Sequence, residues 1–118
     1  DLTGTPTAID FSLFVQGITT NAEVLLTYVV NTAFSLPASL TASNGFAGTV
    51  SAAAAVITIS KNGSSVGTVN FALGSATSTF AFASQTSFAV GDRLTLTNQA
   101  TADSALADVS INLRGNLA

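Results

Sequence analysis

Apolar and polar residues alternate with a period of two along most of this chain. In residues 8–15, Ile9, Phe11 and Leu13 fall on one side, Asp10 and Ser12 on the other. Successive side chains of a β-strand point to opposite faces, so the pattern predicts a strand with one buried face. Similar segments recur about every 12 residues, and none has the 3.6-residue period of a helix.

The segments predict an all-β fold: an antiparallel β-sandwich of about eight strands, resembling a jelly roll. A length of 118 residues suits one compact domain, so we expect residues 1–118 to form a single sandwich. No secretory signal is visible. The chain also lacks an initiator Met, so it was either trimmed by proteolysis or is a piece of something longer, and we favour a module of a longer or multi-copy protein. The predicted strands are residues 8–15, 23–31, 33–36, 49–60, 65–72, 77–83, 93–98 and 106–113.

Turn residues predict how some of these strands end. The sequence 61–63 (Lys-Asn-Gly) predicts a type I′ hairpin turn, since Asn-Gly readily takes positive φ angles. Pro37 lacks a backbone N–H, so it marks a strand edge or a strand end. Gly67 in the return strand predicts a bulge or a close backbone approach.

Other segments lead to weaker structural expectations. Apolar residues on both sides of residues 23–31 indicate a central strand covered on both faces. The four alanines within residues 49–60 precede β-branched residues, which favours a strand over a helix. The Gly- and Asn-containing residues 43–48 are expected to form a loop, and the tail after Arg114 is expected to fray.

The composition disfavours catalysis, thiol chemistry and nucleic-acid binding. Only 3 side chains are cationic and 6 anionic, and His, Cys, Met and Trp are absent. Without His a Ser-His-Asp triad is impossible, and three cations are too few to neutralise a run of phosphates. The apolar runs reach about six residues, against roughly 20 needed to span a bilayer. We therefore expect no enzyme activity, no nucleic-acid partner and no membrane insertion.

The same composition favours self-association. The chain is 47% hydrophobic and 8% charged, so hydroxyl groups must supply much of its wet surface. Such a chain leaves apolar area to be covered, and a closed symmetric assembly covers it as a subunit contact. We expect a homo-oligomer, for example a trimer.

The acidic residues give no strong site. A glycosidase needs two carboxyl groups about 5 to 9 Å apart, and only Asp103 and Asp108 lie close in sequence. We interpret them as solvated turn and strand-start residues. The alternative is a calcium ion between Asn98 and Asp108, held by Asp103, Ser104 and backbone carbonyls, although this loop has few acids. The prediction is that catalytic, metal and cofactor sites are absent, with the ligand-binding residues unknown. The carboxylates are Asp1, Asp10, Glu23, Asp92, Asp103 and Asp108.

The remaining charges are expected to be structural. Lys61 lies beside the Asn-Gly turn, where a solvated charge is expected. Residues 91–93 (Gly-Asp-Arg) are interpreted as the turn that enters a strand, capped by Asp92, in preference to an adhesive tripeptide. Arg93 and Arg114 are expected to pair with nearby carboxylates.

The aromatic residues are mostly expected in the core. Sugar-binding platforms need exposed aromatic faces, and the chain has one Tyr, Tyr28, and eight Phe. Most Phe occupy inward positions of the alternation. Phe46 is the exception, because it lies between Gly45 and Gly48. It either plugs one end of the sandwich or contributes to a contact with a partner or subunit.

The order of the motifs resembles a β-sandwich module of tail-fibre and tail-tip structural proteins of tailed bacteriophages. The resemblance spans almost the whole chain and rests on the order of short motifs, each little more than a strand with its turn. The motifs are residues 9–17 (IDFSLFVQG), 33–37 (AFSLP), 57–63 (ITISKNG), 88–94 (FAVGDRL) and 106–115 (LADVSINLRG).

The resemblance implies a non-enzymatic component of the virion, an extracellular particle. It implies several copies, contacts with other virion proteins, and a role in host attachment or assembly that includes contact with a host-surface glycan. No catalytic or ligand residue carries over. Many such modules carry a basic or aromatic residue before Phe34, and this chain has Ala33 there, so a contact shared at that position is in doubt.

Two alternatives remain open at this stage. One is a carbohydrate-binding accessory module of a secreted protein. The other is a capsid decoration protein, which would be present in hundreds of copies per particle.

Overall fold

A computed structural model describes residues 8–117, and these residues form two antiparallel β-sheets packed face to face. The prediction of an all-β antiparallel sandwich is confirmed. A 3₁₀ turn, Ala38–Leu40, follows the third strand. The strands are β1 (Ala8–Ile18), β2 (Val24–Val29), β3 (Phe34–Leu36), β4 (Asn44–Thr49), β5 (Ala55–Lys61), β6 (Ser64–Phe71), β7 (Thr79–Ala81), β8 (Thr86–Phe88), β9 (Arg93–Asn98) and β10 (Ala107–Leu117).

The strand order is that of a jelly roll. Sheet A has the order β1-β10-β3-β8, with β4 also paired to β10, and sheet B has the order β2-β9-β5-β6-β7. The chain passes from one sheet to the other at most connections, whereas β5 and β6 form a hairpin within sheet B. Eight-stranded jelly rolls interleave their two sheets in this way. The resemblance to a jelly roll expected from the sequence is therefore confirmed.

Inward-facing side chains from both sheets build the core. Leu94 and Leu96 of β9, and Val109, Ile111 and Leu113 of β10, are all buried, as their alternation predicted. Aromatic rings pack beside these and other aliphatic side chains. Phe34 and Phe88 stack with ring centroids 4.9 Å apart, and the Phe11 ring lies 4.7 Å from that of Phe34.

The strand count exceeds the expected number because two short strands were not predicted. Residues 43–48 were expected to form a loop, but β4 occupies most of this segment. It forms because β10 pairs with one edge and residues 76–78 cover the other, where Ala47 N donates to Ala76 O at 2.8 Å. The second addition, β8, pairs with β3. Both depend on long-range partners, which composition does not reveal.

The expectation that residues 23–31 form a central strand was wrong. Its strand β2 is an edge strand of sheet B, paired with β9. Val24 and Val29 are more than half exposed on its outer face. The apolar outer side of this strand therefore reflects an uncovered surface.

Two boundary predictions were also wrong. The strand predicted from Thr49 begins only at Ala55, so most of the alanine run lies in the preceding loop. The tail after Arg114 was expected to fray, but β10 continues to Leu117. Antiparallel pairing with β3 holds it there, with Asn116 opposite Ser35.

Both predictions for the β5–β6 hairpin are confirmed. Asn62 and Gly63 have positive φ values of 51° and 87°, as a type I′ turn requires. The pairing shifts register next to Gly67, which is a bulge. Gly67 also marks a close approach, since a Cβ there would lie 2.7 Å from Ala81 O and would overlap the Phe82 ring.

We predict that Gly67→Ala lowers the free energy of unfolding by about 1–3 kcal/mol, because the added methyl overpacks the site of the Phe82 ring. Urea denaturation followed by far-UV circular dichroism measures the free energy of unfolding. Ser65→Ala, on the exposed part of the same strand, is the matched control and should change stability by less than about 0.5 kcal/mol. Equal effects of the two variants would contradict the packing argument.

Candidate functional site

Each described carboxylate accepts hydrogen bonds from the protein itself. Glu23 accepts from the backbone N–H and the hydroxyl of Thr20. The other four bond to backbone amides, to Asn62 or to Arg114, as set out below. Their side chains thus hold turns and loops in place. The described carboxylates are Asp10, Glu23, Asp92, Asp103 and Asp108.

Asp103 joins two loops at one end of the sandwich. Its carboxylate accepts four backbone N–H groups at 2.9 Å, and the residue is 8% exposed. Two donors, Ala52 and Ala53, precede β5, and two, Ala105 and Leu106, precede β10. The hydrogen bond from Ala52, followed by those from the other amides, holds the pKa of Asp103 below its usual value despite burial, which acts in the opposite direction.

This geometry corrects the interpretation of Asp103 as a solvated turn residue. The geometry also argues against Asp103 as a calcium ligand, because backbone amides already donate to both of its carboxylate oxygens. Within residues 8–117, no cluster of three or more Asp, Glu, His or Cys residues is placed to hold a metal ion.

Asp108 supports an irregularity where β1 and β10 pair. The register shifts between Val15 and Ile18, and the Asp108 carboxylate accepts the Gly17 N–H at 2.8 Å. Asp108 itself has a positive φ of 55°, an arrangement that Asp tolerates better than most residues. The strand-start position was predicted, but Asp108 is half-buried rather than solvated. Asp103 and Asp108 have separate structural roles.

Asp92 caps the turn before β9, as predicted. Its carboxylate accepts the Ala89 N–H at 2.8 Å and the Asn62 amide at 3.0 Å. The bond from Asn62 is the main cause that lowers the pKa of Asp92. Lys61 lies 3.8 Å from the same carboxylate and donates to Ser87 O at 2.7 Å. The Lys61 side chain remains 34% exposed, so its charge is partly solvated as well as paired.

The two arginines differ. Arg114 forms a two-point pair with Asp10, at 2.8 and 3.0 Å, which confirms the predicted pairing. The hydrogen bond from Arg114 lowers the pKa of Asp10, and Asp10 raises that of Arg114. Arg93 has no ion pair within residues 8–117, so the same expectation was wrong for Arg93.

Two phenylalanines lie exposed on the outer face of sheet A. Phe14 is 64% and Phe46 55% exposed. Both pair with Ser110 of β10, Phe14 from one side and Phe46 from the other, so the three residues form one row across the sheet. Two strand spacings place the backbones of the phenylalanines about 10 Å apart. Phe46 does not plug the end of the sandwich, so of its two predicted roles only that of a contact residue remains open.

The surroundings of this row are polar. In the adjacent row, Ser12 donates to the Asn112 side chain at 2.9 Å, and Asn44 lies opposite Asn112 on β4. The amides and hydroxyls beside two exposed rings form a flat, amphipathic surface. Exposed apolar area rimmed by polar groups is a common feature of interaction sites.

A surface cleft of about 490 Å³ lies near the stacked rings of Phe34 and Phe88. Ala33 lines it, at the position where the resemblance implies a basic or aromatic residue. The Lys61 ammonium lies 5.6 Å from the Phe88 ring centroid, a cation–π distance. Lys61 also donates to Ser87 O, so its ammonium group helps to hold strand β8 in place.

No helix among residues 8–117 is long and apolar enough to cross a membrane. Comparisons of the chain with protein-family models, with curated proteins and with solved structures found no match. The site is therefore described from its own geometry.

We predict that Asp103→Ala lowers the free energy of unfolding at pH 7 by about 2–4 kcal/mol, because it leaves buried amides without an acceptor. Denaturant unfolding measures the loss. Asp10→Ala, which removes an exposed ion pair, is the control and should cost much less.

The pH dependence tests the same contacts. The folded-state pKa of Asp103 is lowered, so its stabilisation is present above the unfolded value of about 3.9 and is lost as pH falls through the folded value. The stability difference between the native chain and Asp103→Ala should therefore shrink below about pH 4. A difference that stays constant down to pH 2 would contradict an ionised acceptor.

Proposed function

We infer that the chain is a non-enzymatic structural module of a tailed-bacteriophage virion, a part of its tail fibre or tail tip. The order of motifs from residue 9 to residue 115 supports this assignment. A jelly roll with short connections is also consistent with a rigid building block. Its role is host attachment or tail assembly, in contact with other virion proteins or a host-surface glycan.

The observation that carries the proposal is how the polar and apolar side chains are distributed. The described carboxylates are engaged in structural hydrogen bonds, while large apolar side chains such as Phe14 and Phe46 face outward. A catalytic carboxylate needs freedom to exchange protons with a substrate, whereas exposed apolar area contributes to binding. This distribution supports a binding or assembly role without catalysis.

Several copies are part of the proposal. The exposed apolar side chains favour burial in a closed symmetric homo-oligomer, a trimer being the form expected from the resemblance and the composition. The three cations, of which Arg114 and Lys61 have acidic partners, give no basic surface for nucleic acid.

A second function, a carbohydrate-binding module of a secreted protein, is favoured by one observation. The row of Phe14, Ser110 and Phe46 presents two exposed rings to the same side of sheet A. Aromatic faces flanked by hydrogen-bonding groups are suited to stacking against a sugar ring.

Immunogold labelling of phage particles that encode this chain tests the first proposal. We expect label at the distal tail, because tail fibres and tips carry few copies and occupy one end of the particle. Label spread over the head, with hundreds of copies by quantitative mass spectrometry, would instead identify a capsid decoration protein. Particles without label would contradict a virion role.

A glycan array separates the two functions. For a tail module we expect binding to bacterial envelope polysaccharide or to no glycan on the array. Binding to plant or storage polysaccharide that weakens at least about fivefold in both Phe14→Ala and Phe46→Ala would favour the accessory module, since stacking contributes roughly 1 kcal/mol per ring. Val90→Ala removes an equally exposed apolar side chain elsewhere and is the matched control.

A further inference from the structure

Strands β1 and β2 form one lateral side of the sandwich. β1 is at the end of sheet A and β2 at the end of sheet B. The Phe11 ring of β1 and the Tyr28 ring of β2 pack with centroids 4.6 Å apart, so the two strands lie one above the other. We name this side, residues 8–18 and 24–29, the β1/β2 edge.

The β1/β2 edge leaves backbone groups open to pairing. Among residues 8–117, β1 pairs only with β10 and β2 only with β9, so one edge of each strand has no strand partner. Soluble proteins commonly protect such edges with Lys, Pro or a bulge. β1 has a bulge near Gly17, but residues 8–15 contain neither Lys nor Pro. Their single charge, Asp10, is paired with Arg114.

Apolar side chains also project from the outer faces of these two strands, from sheet A on β1 and from sheet B on β2. The described residues include eight large apolar side chains that are exposed, and four of them lie on β1 and β2. They are Phe14, Ile18, Val24 and Val29. Open backbone groups suit an extended strand as the partner, because a strand satisfies the backbone.

The size of the edge suits a stable contact between two folded copies. An 11-residue strand is about 35 Å long, and two layers about 10 Å apart, with their side chains, give a thickness of roughly 20 Å. Because β2 has only 6 residues and is about 20 Å long, the face measures roughly 550 Å² per copy, or about 1,100 Å² in total, just above the roughly 1,000 Å² expected of a specific interface.

We propose that the β1/β2 edge is the contact with a second copy of this chain, related by a two-fold axis. The two β1 strands pair antiparallel, which continues sheet A from one copy into the other. A two-fold axis at Leu13 places Asp10 opposite Gln16 of the second copy and Phe14 opposite Ser12. This register keeps the two Asp10 carboxylates apart and places each Phe14 ring beside Ser12 of the second copy.

A second copy fits this edge better than an unrelated strand for two reasons. Two identical strands match in length, and a two-fold contact uses the same surface on both sides. The edge is also nearly neutral, so it offers no charge pattern to select a differently charged partner. The inference rests on the proposed multi-copy role and makes the assembly a two-fold dimer in place of the trimer named there.

Light scattering coupled to size-exclusion chromatography, on the full chain over a range of concentrations, tests the proposal. We expect dimers in the native chain and a dissociation constant raised at least about tenfold in Phe14→Lys and in Val29→Lys, because each substitution brings charge into the neutral contact. Leu73→Lys is the matched control, since Leu73 is similarly exposed but follows β6, away from β1 and β2. It should leave the dimer unchanged.

Hydrogen exchange gives a readout that only strand pairing produces. Amides of β1 should become more protected as the concentration rises through the dissociation constant, whereas amides of β7 at the opposite end of sheet B should not. Unchanged thermal melting of the three Lys variants at low concentration shows that they remain folded.

The outcomes separate the contact from the role. An oligomer that survives both Phe14→Lys and Val29→Lys would overturn the edge contact while leaving the multi-copy role intact. A trimer unaffected by all three substitutions would do the same. A monomer at every concentration, with no change in β1 exchange, would contradict both.

Discussion

The structure depends on the packing of two sheets against each other through a shared aromatic and aliphatic core. The Phe34 and Phe88 rings stack at an interplanar angle of 8°, and Phe11 and Tyr28 extend this cluster to the β1/β2 edge. Burying such side chains contributes on the order of 2 kcal/mol each. Because both sheets must present their apolar faces inward, the chain crosses between them repeatedly, which places several polar loops at the two ends of the sandwich.

Those loops explain the use of the few charged side chains. A backbone amide that becomes buried must find an acceptor, and Asp103 supplies one for four amides at one end. Asp92 and Asn62 serve the turns at the end near Lys61, where Asn62 also accepts the Arg93 N–H at 2.9 Å. The charges are rare in this chain, and those described are largely used to maintain its shape. A surface made mainly of hydroxyls and apolar groups remains for contact with partners.

Local pattern was sufficient to predict much of the fold. The alternation placed Leu94 and Leu96 correctly in the core, and Asn62 fixed the hairpin turn, since both depend on neighbours in sequence. β4 could not be predicted, because its pairing with β10 joins residues about 60 positions apart. The same pairing brings Phe14 and Phe46 into one row. Phe46 stood out in the sequence through its glycine neighbours, but its relation to Phe14 depends on register, which the sequence does not display.

The misassignment of β2 has a physical consequence for function. Apolar residues on both faces of a strand indicate a central position only if another layer of the protein covers each face. In this fold no described element covers the outer face of β2, so Val24 and Val29 keep the composition of a buried strand at the surface. Pairing at a strand edge continues a sheet without covering its outer face, so the two valines mark an apolar surface that is distinct from the β1 pairing edge.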